Sequence, residues 1–173
     1  MDKDRIILLF VLFYSFGQIV HGQHIDGFDL TIYQVKINNT PIKKCLSETV
    51  PMIKKKYPVD WNRNLICVTF EEKGKTFNIR IKNKVVGFTD WYLYLKNYEV
   101  SGYLVLDNVK VIILGKGSIQ YIKKKKKKQV MHIENYPPST RVDWPYWIFG
   151  FNENNTKCVL LEKNEPVIEG PFE

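Results

Sequence analysis

Six consecutive lysines, Lys123, Lys124, Lys125, Lys126, Lys127 and Lys128, are the densest chemical feature of this chain. A block of like charge attracts polyanions such as RNA, anionic lipid or sulfated glycans. The plainer reading is a solvated loop rich in lysine. Tyr121 stands just before the block, and Trp144, Tyr146 and Trp147 follow it. Cations beside rings suit single-stranded RNA, where phosphates pair with ammonium groups and bases stack on aromatic faces. Core packing explains the Trp144–Trp147 cluster more simply. Three cysteines, Cys45, Cys67 and Cys158, allow one internal bridge in any of three pairings and leave one thiol. Cys45 and Cys67 fall in apolar patterns that suit a core. His21, His24 and His132 do not cluster with cysteines, so no metal site and no cofactor is expected.

The elements that position these groups follow from periodicity. Residues 28–37, FDLTIYQVKI, are β-branched and aromatic and predict a strand. Pro41 suits the first turn of a helix, and Ile42, Cys45, Leu46 and Ile53 recur at helical spacing. Lys54, Lys55 and Lys56 would occupy its last turn, where the helix dipole favours cations. Pro51 lies inside this pattern and predicts a kink or a break. Strands are predicted over 65–70 (LICVTF), and over Phe77, Ile79 and Ile81, with a turn at Lys73-Gly74-Lys75. Two more flank Asp107-Asn108, over 104–106 and 109–114. After the lysines, VMHIE, WPYWIFGF and CVLLE predict three short strands. The expected fold is α+β: a mixed, largely antiparallel sheet with one N-terminal helix and a short β-rich tail.

The N-terminus reads as a leader. Ile6 to Val20 is an uncharged apolar run after Lys3 and Arg5, and it closes on Val20-His21-Gly22. Its 15 residues are short for a membrane-spanning helix. Residues 1–22 are therefore expected to be a signal peptide, the chain secreted, and no membrane span left after cleavage. Loss of Asp2, Lys3, Asp4 and Arg5 leaves the net charge at +8. Secretion gives meaning to two glycosylation sequons, at Asn38 and Asn154.

Five pieces, in order, carry a resemblance: FDL at 28–30, LICVTF at 65–70, KTFNIRIKNKVVGF at 75–88, WYLYL at 91–95 and VIILGKGSIQY at 111–121. Their order and spacing resemble the N-terminal half of plant ribosome-inactivating proteins, the rRNA N-glycosylases, over roughly residues 28–121. The Val-Val-Gly-aromatic hairpin is the most specific piece. The resemblance implies a translation-inhibiting plant-defence toxin that removes one adenine from ribosomal RNA. In that family two tyrosines sandwich the flipped base, a glutamate stabilises the sugar cation or activates water, and an arginine one helical turn later acts on the adenine. Here Lys84 occupies the position of the first tyrosine, with Tyr92 and Tyr94 as possible substitutes. Tyr121 is the nearest aromatic to the second. No glutamate in the chain is followed three residues later by arginine, and Glu134 and Arg141 are separated by Pro137-Pro138. No catalytic residue can therefore be assigned.

Two functional expectations result, beside the plainer one of a structural glycoprotein whose lysines do nothing specific. The first is a diverged or truncated member of that family, weakly active or inactive. The second is a secreted glycoprotein module that binds RNA or another polyanion through the lysines. The expected organisation is a signal peptide over 1–22, a lobe over 23–122, the lysine segment over 123–128 and an aromatic β-rich tail over 129–173.

Overall fold

The computed structural model describes residues 28–62, 64–83, 85–86, 100–135 and 144–166. The expected leader, Lys84, Tyr92, Tyr94 and Arg141 lie outside these residues. Strand β1 (Phe28–Ile37) leads into helix α1 (Thr40–Lys56). Then come β2 (Asn64–Phe70), β3 (Thr76–Asn83), the short β4 (Val85–Val86), β5 (Val100–Leu106) and β6 (Val109–Leu114). A 3-10 turn at Lys116–Tyr121 precedes β7 (Ile122–Asn135), β8 (Tyr146–Phe151) and β9 (Cys158–Asn164). The strands form one nine-stranded sheet in the order β4-β7-β1-β5-β6-β2-β3-β8-β9. Three pairings, β1–β5, β2–β6 and β4–β7, are parallel and the others antiparallel. The α+β class and the mixed, largely antiparallel sheet are thus as the periodicity predicted.

Helix α1 starts where the sequence signals it. The Asn39 side-chain oxygen accepts from the Ile42 N–H at 2.9 Å, and Pro41 sits in the first turn, where its missing donor costs nothing. Ile42, Cys45, Leu46, Thr49, Val50 and Ile53 form the buried stripe. The predicted break at Pro51 does not occur, and the helix runs on to Lys56. Proline removes the hydrogen bond to the carbonyl four residues back, that of Ser47, an exposed residue open to water. Full burial of Val50 and Ile53 on either side offsets the rest.

The sheet separates two apolar clusters. On the α1 side lie Val35, Ile66, Val68, Phe70, Phe77, Ile79, Val111, Ile113 and Trp147. The opposite face carries Ile32, Leu65, Cys67, Tyr103, Ile112, Leu114 and Met131. This explains why β2 and β6 read as unbroken apolar runs: both of their faces are buried. The β5–β6 hairpin turns on Asp107 and Asn108, whose φ angles of 49° and 62° fit a two-residue turn matching the strand twist. Lys54 ties α1 to this turn, donating to the Asp107 carbonyl at 2.7 Å and pairing with its carboxylate at 3.3 Å.

The expected tail is part of the same sheet. Strand β8 pairs with β3, register Phe77 to Phe149 and Ile79 to Trp147, and β9 forms the outer strand beyond it. VMHIE is not a separate strand but the continuation of β7, which begins at Ile122 and runs through all six lysines. The lysine block is therefore neither a loop nor a linker between lobe and tail.

Candidate functional site

Strand β7 pairs antiparallel with β1: Lys123 faces Lys36, Lys124 faces Val35 and Lys128 faces Tyr33. Between the last two pairs β1 has the single residue Gln34, while β7 has Lys125, Lys126 and Lys127. The surplus residues form a bulge. On the outer side of β7, β4 pairs only with Glu134 and Asn135. Among the described residues nothing pairs with the outer side of Lys123–Lys128, so the lysines line an edge of the described sheet.

Electrostatics explains why the run is tolerated there. Side chains two apart on one face of a strand are separated by roughly 6.7 Å, at which two ammonium groups repel by about 0.6 kcal/mol in water but by about 2.5 kcal/mol at an effective dielectric of 20. Only a fully solvated edge keeps the sum small, and all six lysines are exposed. A bulge adds spacing and bends the strand away from flat pairing. Directly paired residues share a face, so Lys36 extends the basic surface beside Lys123. Tyr33, 41% exposed, lies beside Lys128, and the Lys124 ammonium sits 5.9 Å from its ring centre. No ion pair joins any of the six lysines to a described carboxylate. Further along the same ladder the directly paired His132 and Asp29 meet, Nδ1 to Oδ1, at 2.8 Å.

Tyr121 does not join this surface. Its ring packs against Phe70 and Phe151, with centroids 5.7 Å away in each case, and its hydroxyl donates to the Gly74 carbonyl at 3.0 Å. The glycine turn it closes is packed against the β2–β3 hairpin. A Cβ on Gly117 would lie 1.9 Å from the Glu71 carbonyl oxygen. Ser118 Oγ donates to the Gly115 carbonyl at 2.8 Å and meets Ser101 Oγ at 2.5 Å. This turn is filled by its own side chains.

The tail aromatics are also separate from the lysines. Trp147 is buried, edge-on to Tyr57 at 6.0 Å, and its indole N–H donates to Glu165 at 3.0 Å. Tyr146 stacks under Arg80 and donates its hydroxyl to Glu162. Strands β7 and β8 stand six places apart in the sheet, roughly 29 Å at the usual strand spacing. The combined site of lysines and tryptophans expected from their closeness in sequence is not formed. The ring that does accompany the lysines is Tyr33, from the far end of the chain. TIYQVKI is legible as a strand that carries Tyr33 and Lys36, but its partner strand is not legible.

No family model, curated protein or solved structure matches this chain. The remaining chemistry is sparse. Among the described residues no group of three or more His, Cys, Asp and Glu side chains could hold a metal ion, and no helix is long and apolar enough to cross a membrane. Asn38 and Asn154 are both exposed, one at the entry to α1 and one in the β8–β9 turn.

Proposed function

We propose that this chain is an RNA-binding module whose site is the β1–β7 edge, with Lys36 and Lys123–Lys128 contacting phosphates and Tyr33 offering a stacking face. The observation that carries the reading is the bulged, exposed lysine ladder with no described carboxylate neutralising it and one exposed ring set among its cations. An edge of this kind follows a flexible single strand better than a rigid duplex, because the cations lie along a line and a splayed base can reach the ring. The resemblance to ribosome-inactivating proteins then concerns the scaffold. Depurination relies on electrostatic groups that this sequence lacks, and losing such groups costs orders of magnitude in rate. The same reading takes the chain as secreted and glycosylated at its two exposed sequons.

The test is a titration of labelled single-stranded RNA across a salt series. Engagement of about four phosphates gives a log–log salt slope of about −3. Replacing Lys123–Lys128 with glutamine abolishes binding, while replacing Lys43, Lys55 and Lys73 leaves it, which separates the edge from net charge. Tyr33→Ala weakens binding about fivefold through a lost stacking contact of about 1 kcal/mol. Retained binding in the six-glutamine variant refutes the site. Equal affinity for heparin, unchanged by Tyr33→Ala, would replace RNA by any polyanion. In parallel, intact ribosomes release no adenine above a heat-killed control; release would restore the enzymatic reading.

A further inference from the structure

Cys45 lies in the buried stripe of α1, and Cys158 is the first residue of β9. More than a hundred residues separate them in sequence. Folding brings both to the same apolar cluster, where Cys158 packs, partly buried, against the layer that contains Cys45. Helix α1 and strand β9 pack against each other, which puts both thiols, free here, in one layer, and the Cys45 Sγ lies 3.9 Å from the Thr49 hydroxyl. Cys67 lies on the opposite face of the sheet, fully buried among Leu65, Ile112 and Leu114. Of the three pairings the sequence allows, two would have to pass through the sheet.

We propose that Cys45 and Cys158 form a disulfide that fastens the outer strand β9 to helix α1, leaving Cys67 as the free thiol. The two sulfurs are not equivalent. Cys158 is half-buried and open to a solvent-borne oxidant, whereas Cys45 is only 8% exposed and burial pushes its thiol up. Cys158 therefore attacks first. With glutathione disulfide as oxidant, the Cys158 thiolate breaks its S–S bond, forms a mixed disulfide and releases one glutathione thiolate. Cys45 then loses its proton, attacks the Cys158 sulfur and expels the second glutathione. Two protein thiols lose two electrons and two protons, and one glutathione disulfide becomes two glutathiones.

The bridge has a mechanical purpose visible in β9. Val159, Leu160 and Leu161 are 44%, 43% and 59% exposed, and β9 is the last strand of the sheet. An apolar outer strand is the element most prone to peel away and pair with another chain. A covalent link at its first residue prevents that. Because the closed loop is long, the entropic penalty removed from folding is near the upper end for a single bridge.

The experiment oxidises the folded, purified chain in a glutathione buffer, denatures it, alkylates free thiols and maps the peptides. One alkylated cysteine, Cys67, and a Cys45–Cys158 cross-linked peptide are expected. The melting temperature rises by about 5–15 °C over the reduced form. Cys67→Ser keeps both results, whereas Cys158→Ser loses both while remaining folded by circular dichroism. Three alkylated cysteines after oxidation of a folded chain, or a cross-link that includes Cys67, overturns the proposal.

Discussion

Glu165 illustrates how one side chain fastens the end of the described chain to its first helix. Its carboxylate accepts from Lys163 at 2.9 Å, pairs with Lys56 of α1 at 3.0 Å, and accepts from the Trp147 indole at 3.0 Å. Hydrogen bonds from Lys163, then Lys56, hold its pKa down from 4.5 to about 2, against the opposing effect of burial. The folded state thus binds the proton less tightly than the unfolded chain. The resulting stabilisation is complete above pH 4.5 and is lost as pH falls through 2. Both lysines are about half exposed, at 44% and 53%, so solvent screening limits the effect of Glu165→Gln to about 1 kcal/mol at neutral pH. Thermal melts of the two proteins should differ by about 2–4 °C at pH 7 and converge near pH 2. A difference that persists unchanged in acid would show that the carboxylate charge is not the cause.

At the scale of elements, β7 is the unusual one. Fourteen residues form a single strand, and its pairing with β1 survives a bulge of three lysines against one glutamine. Deleting Lys125 and Lys126 would leave one residue on each strand between the flanking pairs, without changing which side chains share a face. The fold should therefore persist with a similar melting temperature. The edge, however, becomes flatter and carries less charge, both of which favour edge-to-edge association. Size-exclusion chromatography at increasing concentration should show self-association absent from the parent chain. Loss of the folded state instead would mean that the bulge itself is required for closure of the sheet. The proposed RNA binding and edge protection are compatible uses of the same charges.

At the scale of the whole molecule, the sheet is complete only with β8 and β9. Trp147, 1% exposed, and Phe149, stacked on Phe77 at 5.5 Å, cover β3. A chain ending at residue 143 leaves β3 as a bare apolar edge and removes Trp147, the largest fully buried side chain among the described residues. It should accumulate in the insoluble fraction. A soluble monomer with a cooperative melt would show that the two outer strands are dispensable.

The sequence by itself determined the local structure. The bounds of β1 follow from its β-branched run, the start of α1 from Asn39 and Pro41, the β5–β6 hairpin from Asp107-Asn108, and the α+β class from their order. These are short-range properties, set by side-chain period, capping and turn geometry. What the tertiary structure decided is which distant segments meet. A run of six like charges gives no period, so VMHIE was legible as a strand and the lysines before it were not. Pairing with β1 makes the run extended, and its edge position keeps it solvated. Only that pairing brings Tyr33 and Lys36 to the lysines, and only the sheet order takes Trp147 away from them. Helix packing over the sheet put Cys45 and Cys158 on one face and Cys67 on the other, because long-range contacts depend on layers and strand order that no local pattern encodes.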